Sequence, residues 1–181
     1  MKFKKFKFKK VRSTNNTAIR IIKKTHHKYG MVISESQTNG KGQYGRKWIS
    51  HKGNLFVTFF HEVNKIKLSI ATITKLNCLL IKKLISKYTN KKILYKKPND
   101  LFIDKKKICG ILQEIIFMQN KKYLITGIGI NINKSPYIKN CPTTNLNELT
   151  NKHIKINEIE KSLKQIFENN LLKMYNLKVN N

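Results

Sequence analysis

The stretch KICGILQEIIFMQNKKYLITGIGININ, residues 107–133, decides the fold. It contains two runs rich in isoleucine and leucine, separated by the polar residues QNKK. Apolar, β-branched runs divided by polar residues are typical of β-strands. The segment LFID precedes them at residues 101–104, and we expect it to join the first run as a hairpin through residues 104–106. The middle of the chain is therefore predicted to be a set of strands.

Further strands are predicted on the N-terminal side of this stretch. The lysine-rich N-terminus carries Phe3, Phe6 and Phe8, which suits a short edge strand, with a frayed basic tail as the alternative. Residues 31–36, 54–63 and 91–97 are apolar or β-branched enough to form three more strands.

Helices are predicted between and after the strands. The first starts at a cap, Ser13 or Thr14, and continues to Gly30. The longest covers residues 68–88, where apolar residues recur every three or four positions, and another near the C-terminus begins at Asn157, with Glu160 completing a capping box. The sequence therefore predicts an α+β fold, a mixed, largely antiparallel sheet with flanking helices.

The charge of the chain is its most unusual property. It has 181 residues, one domain's worth, with 38 Lys and Arg against 9 Asp and Glu, for a net charge of +29. Nearly all the cations are lysines, and Asn and Ile are also abundant, a bias that an AT-rich coding sequence produces. This favours solvated surface lysines over a specific nucleic-acid groove, and a non-catalytic basic nucleic-acid-binding module is kept as the alternative from another class.

The cysteines and histidines do not indicate a metal site. Cys78, Cys109 and Cys141 lie far apart, without a CxxC pair, and are interpreted as small buried residues in a reducing compartment. The basic N-terminus lacks the apolar core of a signal peptide or membrane span, so we expect a cytoplasmic protein with no membrane partner.

Residues 36–48, SQTNGKGQYGRKW, form the first candidate binding segment. Gly40, Gly42 and Gly45 allow positive φ and close approach of the backbone to a ligand, and cationic side chains between them can hold an anion. The segment has no GK[ST] ending and leads toward a strand, so it is not a P-loop. An ordinary flexible basic turn is the alternative.

A second candidate segment is KKPNDLFIDKKKICGIL, residues 96–112. Asp100 is one of two aspartates in the chain, and it follows Asn99 and precedes Lys107, which favours a site over a turn cap at Asn99. The motif GIGIN at residues 127–131 again allows close approach of backbone to a ligand, unless it marks a tight crossing of the sheet.

Together STN, QTNGKGQYGRKW, KKPNDLFIDKKKICGIL and GIGININ resemble the catalytic domain of biotin protein ligase, in the family's order and spacing. The resemblance extends from about Ser13 to the last helix. It implies the sheet shared with class II aminoacyl-tRNA synthetases and a single catalytic domain over residues 1–181. With twelve residues before Ser13, we expect no N-terminal helix-turn-helix domain, and with few residues after the last predicted helix we expect no separate C-terminal β-domain.

The resemblance also implies an activity. Biotin and ATP, with Mg²⁺, would give biotinyl-AMP, and a lysine of a biotin carboxyl carrier domain would then accept biotin. The sheet edge offers a surface for a homodimer. No residues are assigned as metal ligands. A lipoate or octanoate ligase of the same fold is the closest alternative.

Roles for individual residues follow from the same resemblance. The catalytic residues would be Lys107, Arg46 and Asp100. Biotin would contact Ser13, Thr14, Asn15, Gln37, Gly40, Lys41, Gly42, Gln43 and Lys107, and the nucleotide would contact Arg46, Trp48, Asn99 and Asn131, with the Trp48 ring as a wall against which the glycine loop closes.

The sequence departs from the family's pattern at two places. The family often writes its loop GRGRRGR, whereas Lys41, Gln43 and Tyr44 stand here for three arginines, so we expect looser retention of the adenylate. Lys97 stands where the family usually has Trp in KWPND.

Overall fold

The computed structural model describes residues 2–63 and 68–175, with side chains described as far as residue 170. Nine strands and four helices follow one another as β1 (Lys4–Phe8), α1 (Thr14–Thr25), β2 (Tyr29–Ser34), β3 (Gly40–Lys41), β4 (Lys47–Trp48), β5 (Leu55–Glu62), α2 (Ile70–Ile85), β6 (Ile93–Lys96), β7 (Asp100–Ile103), β8 (Lys106–Met118), β9 (Lys121–Ile130), α3 (Leu146–Thr150) and α4 (Ile156–Tyr175), counted over these residues. A one-turn 3₁₀ helix, Gln43–Gly45, lies between β3 and β4.

Seven strands form one sheet in the order β1-β2-β5-β9-β8-β7-β6. Strand β1 runs parallel to β2, and the other neighbouring pairs are antiparallel. The mixed, largely antiparallel sheet with flanking helices is confirmed, as is the N-terminal edge strand. Asp104 and Lys105 both have positive φ and make the two-residue turn of the predicted β7–β8 hairpin.

The two faces of the sheet carry different helices. Alternate residues of each strand point to opposite faces, so Phe59 and Ile130 join a large apolar cluster with α2 and α4. Phe60 and Ile125 belong to a smaller cluster with α1. The α1 face of β8 and β9 is partly open, and the candidate site lies there.

The predicted C-terminal end of helix α1 is wrong. Helix α1 ends at Thr25, not at Gly30, because His26 takes the left-handed conformation and donates its backbone N–H to Ile22 O at 3.0 Å. Gly30 lies inside β2, where the ring of Phe60 leaves no room for a side chain.

The C-terminal helix α4 begins at Ile156, so Asn157 lies inside its first turn and is not the cap. Glu160 does not complete a capping box, since it is buried and paired with Lys5 Nζ at 2.6 Å. With 20 residues α4 is also longer than α2, which has 16, so the prediction that the helix after β5 is the longest is wrong.

No helix within residues 2–63 and 68–175 combines the length and the apolar character needed to cross a membrane.

Candidate active site

The floor of the site is made of main chain. Gly127 and Gly129 on β9 and Gly110 on β8 point to the α1 face, at positions where a Cβ atom would stand under 3.0 Å from another residue. At Gly127 that residue is Asn15, and at Gly110 and Gly129 it is Trp48. The side chains of Asn15 and Trp48 therefore lie directly on β9, over Gly127 and Gly129. These two glycines are two residues apart, which is about 7 Å along a strand.

These glycines border a cavity of about 560 Å³. Twelve of the residues predicted for the site line it, namely Ser13, Thr14, Asn15, Gln37, Lys41, Gly42, Gln43, Arg46, Trp48, Asn99, Asp100 and Lys107. Segments that are separated by up to about 90 residues in the sequence thus meet around one space, which has the size of a small-molecule site.

Lys107 lies at the centre of the charged part of the cavity. Its Nζ is 2.7 Å from Asp100 Oδ2 and 5.3 Å from the centroid of the Trp48 ring. The side chains of Lys107 and Asp100 are 16% and 21% exposed, so their attraction is screened less than that of a surface pair. Asp100 Oδ1 and Trp48 Nε1 are buried and have no hydrogen-bond partner. An acceptor and a donor are therefore left for a ligand.

Asn99 fixes the strand that carries Asp100. Its Nδ2 donates to Ile111 O at 2.5 Å, and Ile111 N donates to Asn99 O at 3.0 Å. This tie between the entrance of β7 and the middle of β8 holds Asp100 opposite Gly110 and within reach of Lys107. Because the amide donates to the strand, the position of Asn99 favours a structural role in addition to any contact with a nucleotide.

The polar, uncharged part of the cavity is built from the start of α1 and from Gln37. Gln37 Oε1 accepts from Thr14 N at 2.8 Å and from Thr14 Oγ1 at 3.1 Å, and Gln37 Nε2 donates to Ser50 Oγ at 3.1 Å. Ser13 is the N-cap residue by backbone conformation, but its side chain makes no capping hydrogen bond. Ser13 is buried and lines the cavity, and its hydroxyl is not used to cap the helix.

The glycine loop is a small ribbon. Strands β3 and β4 pair through Gly40 with Trp48 and Lys41 with Lys47, and Gly42 N donates to Arg46 O at 2.7 Å. Gly45 has positive φ, as predicted, but Gly40 and Gly42 do not, which corrects the expectation for these two residues.

Tyr44 takes the second left-handed position of the loop. Sequence reasoning placed flexibility at the glycines and missed this residue, whose side chain is 86% exposed although it borders the cavity. Residue 40 requires glycine because the two strands of the ribbon lie close together there, and a Cβ would meet the backbone oxygen of Trp48. Positive φ is not the reason. Gly40 itself does not line the cavity.

Asn131 is the predicted nucleotide-binding residue that the structure does not bring to the cavity. It is 1% exposed, and its Nδ2 donates to Thr144 O at 3.1 Å and to Lys107 O at 3.4 Å. Lys107 N in turn donates to Pro142 O at 2.8 Å. Asn131 therefore holds the segment that fixes the backbone of Lys107, and the prediction that it contacts a nucleotide has no support from its position.

Residues beyond the predicted site list add mainly positive charge. Lys47, Lys96 and Lys97 also line the cavity, which brings its cations to six against one carboxylate, Asp100, among the described residues. Lys47 belongs to the glycine loop that was predicted to hold an anion, whereas Lys96 and Lys97 gave no signal of a binding role because the chain is so rich in lysine. Ile138, Asn140 and Cys141 close another side of the cavity, from a loop that carries no recognisable sequence motif.

Cys109, next to the site, does not supply a thiolate, and the described residues form no metal cluster. Cys109 lies in β8 beside Gly110, and burial raises the pKa of its thiol well above the usual range, so the thiol stays protonated. The buried position predicted for Cys78 and Cys109 is confirmed, whereas Cys141 is only half-buried. No group of three or more His, Cys, Asp or Glu within the part of the chain that the structure describes could hold a metal ion.

A sequence model described as the biotin/lipoate A/B protein ligase family matches residues 7–131. The chain belongs to this family. The match covers every segment that lines the cavity except the loop with Ile138, Asn140 and Cys141. The resemblance inferred from the sequence motifs is thereby confirmed at the level of the family.

Two relatives that the chain resembles in sequence both carry the name bifunctional ligase/repressor BirA. The chain is 29% identical over 126 residues to the bifunctional ligase/repressor BirA of Bacillus subtilis (strain 168), covering 68% of this chain and 39% of that protein. It is 29% identical over 102 residues to BirA of Escherichia coli (strain K12), covering 55% and 32%. The chain thus spans about a third to two fifths of the length of these relatives.

A solved structure shares the fold over almost the whole chain. This is the biotin protein ligase from Aquifex aeolicus in complex with biotin and ATP, which is 28% identical and superposes with a TM-score of 0.78, covering 95% of this chain and 72% of that chain. The architecture expected from the resemblance is therefore confirmed.

Proposed function

We propose that this chain is an ATP-dependent biotin protein ligase, which forms biotinyl-5′-AMP and transfers biotin to a lysine of a biotin carboxyl carrier domain. The observation that carries the proposal is the make-up of the cavity, where neutral hydrogen-bonding groups over Gly127 are joined to a cationic region around Lys107. Biotin has the matching polarity, with a neutral urea at one end and a carboxylate at the other.

The urea end of biotin suits the polar groups at the start of α1. Ser13, Thr14, Asn15 and Gln37 supply hydroxyl and amide groups that both donate and accept, as a urea requires. A dithiolane ring or a plain acyl chain would leave the remaining hydrogen-bonding capacity of these groups unused, and such mismatches cost large factors in specificity. This favours biotin over lipoate or octanoate.

In the first step a carboxylate oxygen of biotin bonds to the α-phosphorus of ATP and the bond to pyrophosphate breaks. Two anions must approach each other, so catalysis requires cations whose attraction increases as charge accumulates at phosphorus. Lys107 and Arg46 take this role, and both line the cavity. Trp48 provides an apolar wall beside Lys107, which keeps water from the adenylate.

In the second step the amine of the carrier lysine bonds to the acyl carbon, and AMP leaves. The attacking amine must lose a proton, and Asp100 is the carboxylate that lines the cavity. Its Oδ1 is free of hydrogen bonds within the protein, which allows it to orient the amine and accept that proton.

Mg²⁺ is expected to arrive with the phosphates of ATP. The ion needs one or two protein carboxylates when phosphate oxygens and water fill its other positions, and Asp100, whose Oδ1 would serve the carrier amine only in the second step, would hold the ion in the first. When bound, the ion neutralises the phosphate oxygens. Lys107 would remain beside Asp100 and contact the biotin carboxylate.

The test is pyrophosphate release by the purified chain with ATP and biotin, run in parallel with lipoate and octanoate. We expect release with biotin at least about a hundredfold faster than with the other two acids. Transfer is measured by mass spectrometry on a biotin carboxyl carrier domain, with its acceptor lysine replaced by arginine as the control. Release with lipoate alone would favour the rival ligase.

The nucleic-acid alternative has its own test. Binding to DNA that falls steeply between about 50 and 200 mM salt and shows no sequence preference would mark the net charge of +29 as incidental to function. Sequence-specific binding that persists in salt, together with no pyrophosphate release, would contradict the proposed ligase.

A further inference from the structure

Both ends of the Asn15 amide are held by other side chains. Asn15 Nδ2 donates to Glu114 Oε2 at 2.6 Å, and Asn15 Oδ1 accepts from Thr58 Oγ1 at 2.6 Å. Asn15 is 3% exposed and lines the cavity, whereas Thr58 and Glu114 do not line it. The two partners come from β5 and β8, and Glu114 is 99 residues away from Asn15 in the sequence.

Glu114 decides which way the amide faces. An ionised carboxylate accepts hydrogen bonds and cannot donate them, so the NH₂ group of Asn15 must face Glu114 and its oxygen must face Thr58. A hydroxyl can donate or accept, so Thr58 alone would permit either orientation. The carboxylate removes this ambiguity, and a charge-assisted bond is about twice as strong as a neutral one.

The Asn15 amide packs closely against Gly127. A Cβ at residue 127 would overlap the amide, so the amide lies directly on the bare backbone of β9. Of the hydrogen bonds that the structure shows for the Asn15 side chain, one comes from Thr58 and one goes to Glu114. The second N–H and the second lone pair of the amide remain for a ligand in the cavity.

We infer that Glu114 is a positioning residue, which fixes the Asn15 amide so that its remaining N–H and oxygen meet the urea head group of biotin, and thereby sets the preference for a cyclic urea over acids without one. This inference rests on the proposed function. Glu114 acts through Asn15 and does not touch the substrate. Its neighbour Gln113 points to the other face of the sheet, where it bonds Thr74 of α2 and Thr126.

The test measures the dissociation constants of biotin and of ATP by calorimetry for the wild type and for Glu114→Ala. We expect Glu114→Ala to weaken biotin binding by roughly tenfold to a hundredfold, as for loss of a hydrogen bond to a charged group, and to leave ATP binding within about twofold. Glu114→Gln retains an oxygen acceptor and should recover part of the loss. Glu114→Met, which keeps the length of the side chain without a strong acceptor, replaces Glu114→Ala if that variant does not fold.

A double-mutant cycle separates positioning from a general structural effect. In an Asn15→Ala background, Glu114→Ala should weaken biotin binding by less than about twofold further, because the group that Glu114 positions is already absent. Glu168→Gln removes one carboxylate from α4, where it bonds Lys164 and Phe3 N, and serves as the control for charge. It should bind biotin as the wild type does.

The outcomes distinguish this inference from the function on which it rests. Wild-type affinity for biotin in Glu114→Ala, or fully additive losses in the cycle, would overturn the positioning role alone. A wild type that binds lipoate but not biotin would overturn the proposed function, and the inference with it.

Discussion

The two faces of strands β8 and β9 differ sharply in what their residues do. On the α2 and α4 face, Ile111, Ile128 and Ile130 join one continuous apolar cluster. On the α1 face, the neighbouring residues Gly110, Gly127 and Gly129 leave space for a cavity. Residues one position apart in sequence thus serve stability on one face and ligand binding on the other, because side chains alternate along a strand.

This difference shows how a small sheet remains stable with a cavity on one of its faces. The strands that form the floor are central in the sheet and lose packing on one face, so the opposite face must supply the stability that the cavity does not. Stacked rings of Phe59 on β5 and Phe167 on α4, with centroids 4.2 Å apart, are part of that compensation. Changes on the α1 face should therefore affect activity, and changes on the other face should affect the free energy of unfolding.

The largest expected effect is that of Lys107→Ala. Loss of the cation beside the reacting phosphate should lower adenylate formation by about a thousandfold or more, measured as pyrophosphate release. Circular dichroism and thermal melts should show a folded protein. Lys91→Ala is the matched control, because Lys91 also pairs with an aspartate, Asp104, at 2.7 Å, but both side chains are about half exposed. Retained turnover in Lys107→Ala would remove Lys107 from the mechanism.

Gly129→Val should give the second-largest effect. A Cβ at residue 129 would stand under 3.0 Å from the Trp48 ring, so the ring or the strand must move and the cavity narrows. We expect a loss of about a hundredfold in biotin-dependent pyrophosphate release. Normal activity in a folded Gly129→Val protein would show that the ligand does not use the floor beside Trp48.

Ile130→Ala, one residue farther along β9, should lower the stability of the protein and leave its activity nearly unchanged. Ile130 is 0% exposed and belongs to the cluster on the α2 and α4 face. Truncation of a buried isoleucine costs about 2–5 kcal/mol of the free energy of unfolding, which urea denaturation can measure. At temperatures where the variant remains folded, its pyrophosphate release should stay within about threefold of the wild type. A large loss of activity without a loss of stability would contradict the division between the faces.

The smallest expected effect is on the pH dependence of stability, through His61. Burial lowers the pKa of His61 to about 3, so the imidazole stays neutral in the native protein while it takes up a proton near pH 6.5 after unfolding. The unfolded state then binds more protons, and native stability falls with decreasing pH through the window between about 6.5 and 3. The loss should be about 2 kcal/mol at pH 5 relative to pH 8.

Replacement of the imidazole checks this prediction. His61→Gln cannot titrate in this range, so its free energy of unfolding should vary less between pH 8 and pH 5 than that of the wild type. The residue alternates with Phe60 on β5 and points away from α1, so the pH effect belongs to the stabilising face. An identical pH profile for both proteins would assign the acid sensitivity to other groups.

Much of the fold was predictable because its strongest signals are local. The apolar runs in residues 107–133 specify two strands regardless of their surroundings, and the polar residues around Asp104 specify the hairpin turn. The residues of the site could be proposed because their motifs match a family pattern. Where the structure differs, Gly30 is a space left for the tertiary neighbour Phe60, whereas α1 ends at a local cap whose residue, His26, is not a glycine.

Other features depend on contacts that no local pattern encodes. Asn131 looks like an exposed polar residue after a strand, yet the loop that reaches Thr144 covers it and takes up its amide. Glu114 lies in an apolar run, where nothing in the sequence connects it with Asn15. Tyr44 adopts positive φ in a loop that offers three glycines for that purpose.

A floor of bare main chain limits how the cavity can diversify. Gly110, Gly127 and Gly129 cannot accept even a methyl group without displacing Trp48 or Asn15. Ordinary substitutions therefore cannot reshape the floor without moving its neighbours. Any shift in the acid that the protein accepts must come from the walls: the start of α1, the β3–β4 ribbon and the loop that carries Asn140. Engineering of new substrates should accordingly vary these three segments and keep the glycines constant.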